Sequence, residues 1–399
     1  MKIYLFAFLY VFSINLYAIS LSEKLTLNGF ATVGAAYNDD DNAIYLRSIA
    51  QPPEGLEDDV TFNMDSRVGL QLNYQANENL HAGLQVVSKY RYDDTYTPNI
   101  TWAYLKFSPE SDWDLRLGRL GLDIFFRSDS RDIGYSYLWV RPPVDYYGQL
   151  NISSFDGLDF SHYIPMGDGL LKLKGFAGVG HQKFPAFGGN QLDLSDSPVY
   201  GFLAQYQDIN WTYKFVISEQ ELNDQDPTVD QLVNFFELIN RPDYANSFQL
   251  DGKTFRYYSL GVAYDKGPWR SQFALGYIDS ENIIVSDNKT AYFSLGYKLN
   301  DWTPYLLLSA SESDKPTVTS GLGPPTDALI ASALGGGQVD QTTVGFGARY
   351  DFKENMALKF QADFVESKTD TLLLWGSGDD ISSWDGENMI ISVTLDMVF

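Results

Sequence analysis

Apolar and polar residues alternate with a period of two along most of this chain, and the length of the alternating segments is the strongest constraint on its fold. Every second residue is apolar from Thr342 to Phe352 and again at the C-terminus, where the apolar set is Met389, Ile391, Val393, Leu395, Met397 and Phe399. Because successive side chains of a strand point to opposite faces, this pattern predicts β-strands. The segments run for about ten to thirteen residues, which is longer than an average strand of a soluble sandwich and matches a tilted strand that crosses a membrane.

The stretch from Asp59 to Tyr74 follows the same pattern. One face of this predicted strand carries Phe62, Met64, Val68, Leu70, Leu72 and Tyr74, and the polar residues between them form the other face. About sixteen such segments succeed one another, an even number typical of bacterial outer-membrane barrels. They begin near residues 25, 59, 79, 100, 111, 153, 169, 198, 210, 253, 267, 289, 301, 340, 355 and 387.

The connections between these segments alternate strictly in length. The short ones lie at 75–78, 108–110, 165–168, 207–209, 265–266, 299–300 and 353–354. The long ones lie at 38–58, 93–99, 120–152, 181–197, 221–252, 279–288, 313–339 and 368–386. Short turns at one rim and long loops at the other are typical of outer-membrane barrels, and a soluble sandwich has no reason to sort its loops in this way. Aromatic residues near the strand ends, such as Trp113, Trp211 and Trp269, predict girdles at the two membrane surfaces.

The first residues indicate export. Met1-Lys2 precede an apolar run from Ile3 to Phe12, and Leu16-Tyr17-Ala18 ends in a small residue. About ten apolar residues cannot cross about 30 Å of hydrocarbon, so residues 1–18 are predicted to be a cleaved signal peptide. Residues 19–399 are then predicted to form a single transmembrane β-barrel domain.

The composition excludes several other classes of protein. The 399 residues include 28 basic and 52 acidic ones, which gives a net charge of −24. Phosphates would repel such a chain, so we expect no nucleic-acid partner. The chain has no cysteine, which excludes disulfides, thiolate nucleophiles and cysteine-based zinc sites. An aromatic content of 15% argues against disorder.

Several motifs give the chain a resemblance to the Gram-negative trimeric porins. The final residue, Phe399, ends an alternating strand, residues 115–119 read LRLGR before a long third loop, and residues 65–74 read DSRVGLQLNY. The resemblance implies an all-β, transmembrane antiparallel barrel of sixteen strands whose third extracellular loop, about 120–152, folds into the lumen. It also implies a homotrimer in the outer membrane of a Gram-negative bacterium, in contact with membrane lipid and lipopolysaccharide, that passes small hydrophilic solutes by diffusion. Within the third loop the chain departs from the family, because the usual short acidic motif is missing from residues 120–147.

Alternation also predicts which charged side chains face the lumen. A barrel of this size encloses water, so its inner face can carry charge and its outer face cannot. The residues predicted to form the constriction are Arg67, Arg91, Arg116, Arg127, Arg131, Asp129 and Asp132. Those predicted to line the rest of the pore are Asp65, Lys89, Lys172, Lys174, Lys214 and Arg349. Because cations outnumber acids in this set, we expect a weak preference for anions or zwitterions despite the acidic chain.

Other functions stay open at this point. The channel could be selective for anions or for oligosaccharides, or the barrel could be a scaffold for an adhesin or binding protein. Aromatic residues of the third loop suit sugar stacking or packing against the wall, and packing is favoured. Acidic residues concentrate in loops 38–58, 221–252 and 368–386, where they could bind divalent cations that bridge to lipopolysaccharide, although a solvated surface is favoured.

An enzyme is not expected. His81, His162 and His181 lack any metal-binding spacing, and Ser161-His162 lacks a nucleophile elbow. The sequence therefore predicts no catalytic residue, no metal and no cofactor. It does predict a short helix over residues 228–239, where the apolar residues have helical spacing.

Overall fold

The computed structural model describes residues 19–54, 56, 60–149, 152–186, 189–318, 320 and 322–399. The predicted signal peptide, residues 1–18, lies outside the described residues. Sixteen long strands run through them: β1 Leu25–Asn38, β2 Arg67–Gln75, β3 Leu80–Lys89, β4 Asn99–Phe107, β5 Trp113–Gly121, β6 Ser154–Met166, β7 Gly169–Val179, β8 Pro198–Gln207, β9 Trp211–Leu222, β10 Lys253–Lys266, β11 Trp269–Ser280, β12 Asn288–Tyr297, β13 Trp302–Ser313, β14 Asp340–Lys353, β15 Met356–Ser367 and β16 Glu387–Val398. Two short strands, Ile19–Ser22 and Val60–Thr61, extend the same sheet.

The sheet closes on itself. Each long strand pairs antiparallel with the next one along the chain, and β1 pairs with both β2 and β16. Phe30 on β1 lies opposite Val398 on β16, and Leu25 lies opposite Tyr74 on β2. The prediction of a closed antiparallel barrel with sixteen strands is confirmed.

The predicted strand from Asp59 to Tyr74 is wrong in its first part, because the chain leaves the sheet after Val60–Thr61 and returns only at β2. In between, the side chain of Ser66 replaces a strand hydrogen bond, as the Gly34 amide donates to Ser66 Oγ at 3.1 Å. The break changes the direction of the residues within it. Met64, predicted to face outward, is buried with 4% of its surface exposed.

The outer wall is apolar and bordered by aromatic rings. Large apolar side chains at alternate positions are exposed, as at Leu105, Leu117 and Phe346. Ring pairs from adjacent strands form a band at the rim with the short turns: Trp113 with His162, Trp211 with Tyr264, Trp269 with Tyr297 and Trp302 with Tyr350. Amphipathic rings favour the level of the lipid headgroups, so this band corresponds to the predicted girdle on the periplasmic side.

The long loops carry the helices of the molecule, which are α1 Val144–Tyr147, α2 Pro227–Leu238, α3 Pro242–Phe248 and α4 Pro324–Gly335. Helix α2 corresponds to the predicted one, and the side chain of Asp226 caps it by accepting from the Thr228 and Val229 amides. None of the helices in the described residues has the length and hydropathy needed to cross a bilayer.

The first and last long loops meet above the barrel. Ala43–Tyr45 pairs with Trp375–Ser377, and an apolar cluster beneath this pair includes Trp384 and Val144 of the third loop. The loops therefore cover part of the extracellular mouth and pack against the third loop from above.

Candidate functional site: the third loop and the lumen

The third loop, residues 122–153 between β5 and β6, lies against inward-facing side chains on the opposite wall. Its two halves, residues 122–132 and 134–149, are called here the first half and the second half. Arg141, in the second half, is 1% exposed and forms ion pairs with Asp65 at 2.6 Å and with Asp363 on β15 at 3.2 Å. It also donates to Ser392 on β16 at 2.5 Å. One guanidinium thus joins the loop to the region before β2 and to the last two strands.

A second attachment depends on a buried lysine. Lys359 on β15 pairs with Asp396 on β16 at 3.0 Å, and both side chains are fully buried. The same ammonium donates to the carbonyls of Gly134 and Trp139 in the loop, at 2.6 and 2.8 Å. A side chain at position 134 would not fit here, because a Cβ on Gly134 would lie 2.0 Å from Asp396 Oδ1. Glycine therefore allows the loop to approach the charged pair closely.

The rest of the second half is fixed by polar contacts to other strands. Trp139 donates to Ser294 on β12 at 2.7 Å, and Asp145 accepts from Gln341 on β14 at 2.8 Å and from Ser309 on β13. Burial raises the pKa of Asp145, and hydrogen bonds to its carboxylate oppose this effect only in part. The surroundings of Asp145 therefore disfavour its charged form relative to a carboxyl group in water.

The aromatic side chains of the third loop mostly pack together. Phe125, Tyr137, Trp139 and Tyr146 expose 1% of their surface or less. Rings of Phe125, Tyr146 and Tyr147 also contact Tyr292 or Tyr257 of the wall. Buried rings are not available to stack on a sugar, which supports the packing interpretation over the stacking one.

Predicted pore-lining lysines converge on one carboxylate of the first half. Asp123 lies 2.5 Å from Lys214, 3.4 Å from Lys174 and 3.7 Å from Lys172. Burial alone would raise the pKa of Asp123, but these three ammonium groups outweigh it and hold the pKa well below its usual value. Lys174 also pairs with Asp159 at 3.0 Å, and Arg116 shares that acid, so four cations with two acids leave an excess of positive charge on the wall formed by β5, β6, β7 and β9.

A cavity of about 250 Å³ opens toward the long loops, and it is called here the extracellular cavity. Its lining includes one carboxylate, Asp132, and six cationic side chains: Arg47, Arg67, Lys89, Arg91, Arg131 and Lys183. Asp132 pairs with Lys89 at 2.7 Å and with Arg67 at 3.8 Å. Burial would raise the pKa of Asp132, but the charge of Lys89 leads the interactions that lower it. Further carboxylates outside the lining pair with four of these cations: Asp65 contacts Arg47 and Arg67, Asp93 contacts Arg91, and Asp193 contacts Lys183.

The structure separates two arginines that were predicted to act together. Arg131 lines the extracellular cavity, and its guanidinium lies 5.6 Å from the centre of the Phe125 ring. Arg127 instead lines a cavity near the turn between β10 and β11, at the periplasmic rim. The expectation that Arg127 lies with Arg67 and Arg91 is therefore wrong, because its side chain lines a different cavity, where Gln272 binds it.

Other predicted residues lie elsewhere than the alternation placed them. Strand β3 ends at Lys89, so Arg91 belongs to the following loop rather than to the strand. Asp65 lies in the break before β2 and is 2% exposed, so it holds Arg141 rather than lining open space. Arg116 pairs with Asp159 on the neighbouring strand β6. Asp129, in the first half, is exposed and forms no ion pair with the other residues that the structure describes.

Some residues of this region were missed by the sequence reasoning. Arg47 of the first loop was not predicted as a pore residue, yet it lines the extracellular cavity and pairs with Asp65 at 2.8 Å. Lys359 and Asp396 were not singled out, although parity would have placed both on the inner face next to each other. Among the described residues, no group of three or more histidines, cysteines or acids is arranged to hold a metal ion.

The family model for Gram-negative porins matches residues 7–385 of the chain. The chain belongs to the Gram-negative porin family. No curated protein matches the porin by sequence. Among solved structures, the anion-selective porin from Comamonas acidovorans is similar, with 15% identity and a TM-score of 0.56 over 94% of this chain and 99% of that one. OmpF of Salmonella typhi, in a complex with daunomycin, shares 13% identity with a TM-score of 0.56, covering 96% of this porin and all of OmpF.

A third solved structure, the outer membrane channel DcaP of Acinetobacter baumannii, has 14% identity and a TM-score of 0.52, covering 96% of this porin and all of that channel. At such low identity these likenesses show the fold. Family and barrel together make this protein an outer-membrane channel for the passive diffusion of small hydrophilic solutes. They indicate a channel rather than an enzyme.

Proposed function

We propose that this porin conducts small anions in preference to cations, and that the extracellular cavity sets the preference. The observation that carries the proposal is the lining of that cavity, with six cationic side chains and one carboxylate. The charge close to a narrow passage decides which ions pass it, whereas the net charge of −24 is spread over the whole protein. The Comamonas acidovorans porin, which is described as anion-selective, offers a parallel within the same fold.

The lysines below this cavity support the same preference. Lys172, Lys174 and Lys214 surround Asp123, so the path below the cavity also passes a region with excess positive charge. Nearby carboxylates weaken the positive electric field in the cavity without cancelling it. The three cations Lys89, Arg67 and Arg131 are balanced by two acids, Asp132 and Asp65. A modest selectivity is therefore expected rather than exclusion of cations.

The test is the reversal potential in a gradient of potassium chloride across a planar bilayer. Replacing Arg131 with Glu, alone and together with Arg127→Glu, should move the reversal potential toward that of a cation-selective channel. Arg241→Glu is the matched control, because it makes the same change of charge on an exposed residue of the loop that contains α2 and α3. A reversal potential that is unchanged in Arg131→Glu, or that shifts equally in Arg241→Glu, would contradict the assignment of selectivity to the cavity.

The proposal also includes the assembly of the protein as a homotrimer, with lipid and lipopolysaccharide against the rest of the apolar outer wall. Cyclic symmetry suits a planar membrane, and exposed apolar side chains around the barrel supply surface for both contacts. Chemical cross-linking in detergent should give a product of three chains. Monomers alone at all concentrations would contradict the trimer and would leave the selectivity proposal intact.

Catalysis forms no part of the proposal. Ser161 and His162 are neighbours on β6 and therefore face opposite sides of the wall, with Ser161 buried and His162 stacked on Trp113. Ser154 and His181 do approach, with 3.4 Å between Oγ and Nε2, but Ser154 is 1% exposed. Such a buried hydroxyl is inaccessible to a substrate.

A further inference from the structure

A second cationic cavity lies at the periplasmic end of the lumen. It has a volume of about 70 Å³, and its lining includes Arg127, Arg270, Gln272 and Arg349. It is called here the periplasmic cavity. Arg270 and Arg349 also line an adjoining space of about 680 Å³ next to the short turns, so the small cavity lies beside a wide vestibule. Three guanidinium groups and one carboxylate, Asp265, carry the charge of its lining.

Arg127 reaches this cavity because a residue of the wall orients it. The side-chain amide of Gln272 on β11 is oriented with its oxygen toward Arg127. That oxygen accepts hydrogen bonds from Arg127 Nε at 2.9 Å and from Nη2 at 2.6 Å. The remaining guanidinium nitrogen, Nη1, takes no part in these two hydrogen bonds with Gln272. A neutral amide leaves the positive charge of Arg127 uncompensated, in contrast to Arg116, which shares a carboxylate.

Arg349 on β14 is held even more firmly. It is 5% exposed, and its Nη1 donates to the carbonyls of Tyr135 and Tyr137 in the third loop, each at 2.6 Å. Its Nε donates to Asp351 at 2.7 Å. Arg270 is more open, with 3.8 Å between its Nε and Asp265. The cavity thus combines two oriented guanidinium groups with a third that is free to adjust.

The third loop separates this cavity from the extracellular one. Residues 134–139 are bonded to Lys359 and Arg349 on the wall, and the tip reaches the periplasmic rim, where Tyr135 donates to the Glu354 carbonyl at 2.7 Å. Arg131 faces the extracellular cavity, whereas Arg127, four positions earlier, lines the periplasmic one. The two arginines therefore belong to different spaces along the channel.

We propose that Arg127, Arg270 and Arg349 form a second anion site, which faces the periplasm and binds a small carboxylate or phosphate group. Planar guanidinium groups match such oxyanions because they can donate two parallel hydrogen bonds, the role assigned here to Arg127 and Arg270, whereas Arg349, whose Nε and Nη1 are already engaged, contributes through Nη2. A volume of about 70 Å³ is sufficient for a group of that size. This inference deepens the proposed function, since it gives the anion path two sites in series, and it rests on that function.

The two sites predict that block of the channel depends on the side from which an anion is added. Inorganic phosphate is added to one side of a bilayer that contains single channels, and the reduction in chloride current is measured for each side. An epitope inserted near Asp226, in an extracellular loop, and an added antibody report the orientation of each channel. In the unaltered protein, phosphate from either side should reduce the current.

Two double variants distinguish the sites. Arg127→Gln with Arg270→Gln should weaken block from the periplasmic side by about tenfold, as expected for lost hydrogen bonds to a charged group, and leave block from the extracellular side within about twofold. Lys89→Gln with Arg131→Gln should do the reverse. If the Arg127/Arg270 double variant fails to give the heat-modifiable band of a folded barrel, the single change Arg270→Gln replaces it, because the ion pair of Arg270 with Asp265 is long, at 3.8 Å. If the Lys89/Arg131 double variant fails in the same way, the single change Arg131→Gln replaces it.

The outcomes separate this inference from the proposed function. If both double variants alter block from both sides equally, or neither alters any block, the second site is wrong while anion preference measured by reversal potential can still hold. If Arg131→Glu leaves the reversal potential unchanged but the periplasmic block behaves as expected, the proposed function is wrong and the second site stands.

Discussion

The two halves of the third loop use charge in opposite ways. In the second half, Arg141 and Asp145 are almost fully buried and bind side chains of the wall, so the ion pairs of Arg141 and the hydrogen bonds of Asp145 hold the loop in place. In the first half, Asp123 is bound by lysines of the wall, but Arg127 and Arg131 border cavities and Asp129 is exposed, so the charges of these last three act on the space around them. The net charge of a segment therefore says little about its function until the burial of each charged side chain is known. Mutations in the two halves should accordingly differ in their effects on stability and on ion selectivity.

The largest difference should come from Arg141→Ala in the second half. Removing this guanidinium leaves Asp65 and Asp363 buried without their shared partner, and such a break costs about 3–5 kcal/mol. We expect a lower midpoint of unfolding by guanidinium chloride in detergent and faster proteolysis of the loop. Arg131→Ala in the first half should cost about 1 kcal/mol or less, because its contacts are partly exposed. Equal losses in the two variants would contradict the division between the halves.

The next largest effect should come from Gly134→Ala. The added Cβ would lie 2.0 Å from Asp396 Oδ1, so the loop or the buried pair must shift, at a cost of about 1–3 kcal/mol. Gly175→Ala on β7 is the matched control, because a Cβ there meets nothing within 4 Å. Protease protection of the third loop should fall in the first variant and stay the same in the second. Loss of protection in both would show that the assay reports general instability rather than the close approach at residue 134.

A smaller effect concerns pH. The pKa of Asp145 is raised by burial, so its uncharged form favours the folded loop, and this contribution is lost as pH rises from about 4 through the raised pKa. The pKa of Asp123 in the first half is lowered by its lysines, so its contribution is present above about pH 4 and is lost on acidification. At pH 7, Asp145→Asn should therefore stabilise the loop and Asp123→Asn should destabilise it. Unfolding curves at pH 4.5 and pH 7 check both signs, and a destabilised Asp145→Asn at pH 7 would contradict the first.

The smallest effect should come from Asp129→Asn. This exposed residue of the first half should change the free energy of unfolding by less than about 0.5 kcal/mol. The change makes a cation-rich lumen slightly more positive, so a small shift of the reversal potential toward anions is expected. A loss of stability comparable with that of Arg141→Ala would mean that the first half is also held by buried charge.

Strand positions could be predicted because each depends on local alternation. Along β14 and β16, apolar and polar residues alternate, so each residue can be assigned to the outer or the inner face. The alternation of short turns and long loops then gives the order of the strands around a closed sheet. The break before β2 escaped this reasoning, because Phe62 and Met64 continue the alternation although Ser66 has taken over a hydrogen bond of the sheet. Helix α2 was predictable from its spacing and its cap, whereas α3 is too short to show a period.

The path of the third loop could not be predicted in the same way. A loop carries no periodic pattern, so its path depends on contacts with residues more than a hundred positions away, such as that of Arg127 with Gln272 and that of Tyr135 with Arg349. Local signals in the sequence, namely alternation, turn length and composition, determined a closed, sixteen-stranded barrel with charge on its inner face. Only the tertiary structure decided which charges are buried as attachments and which border a cavity, because burial arises when distant segments fold against one another.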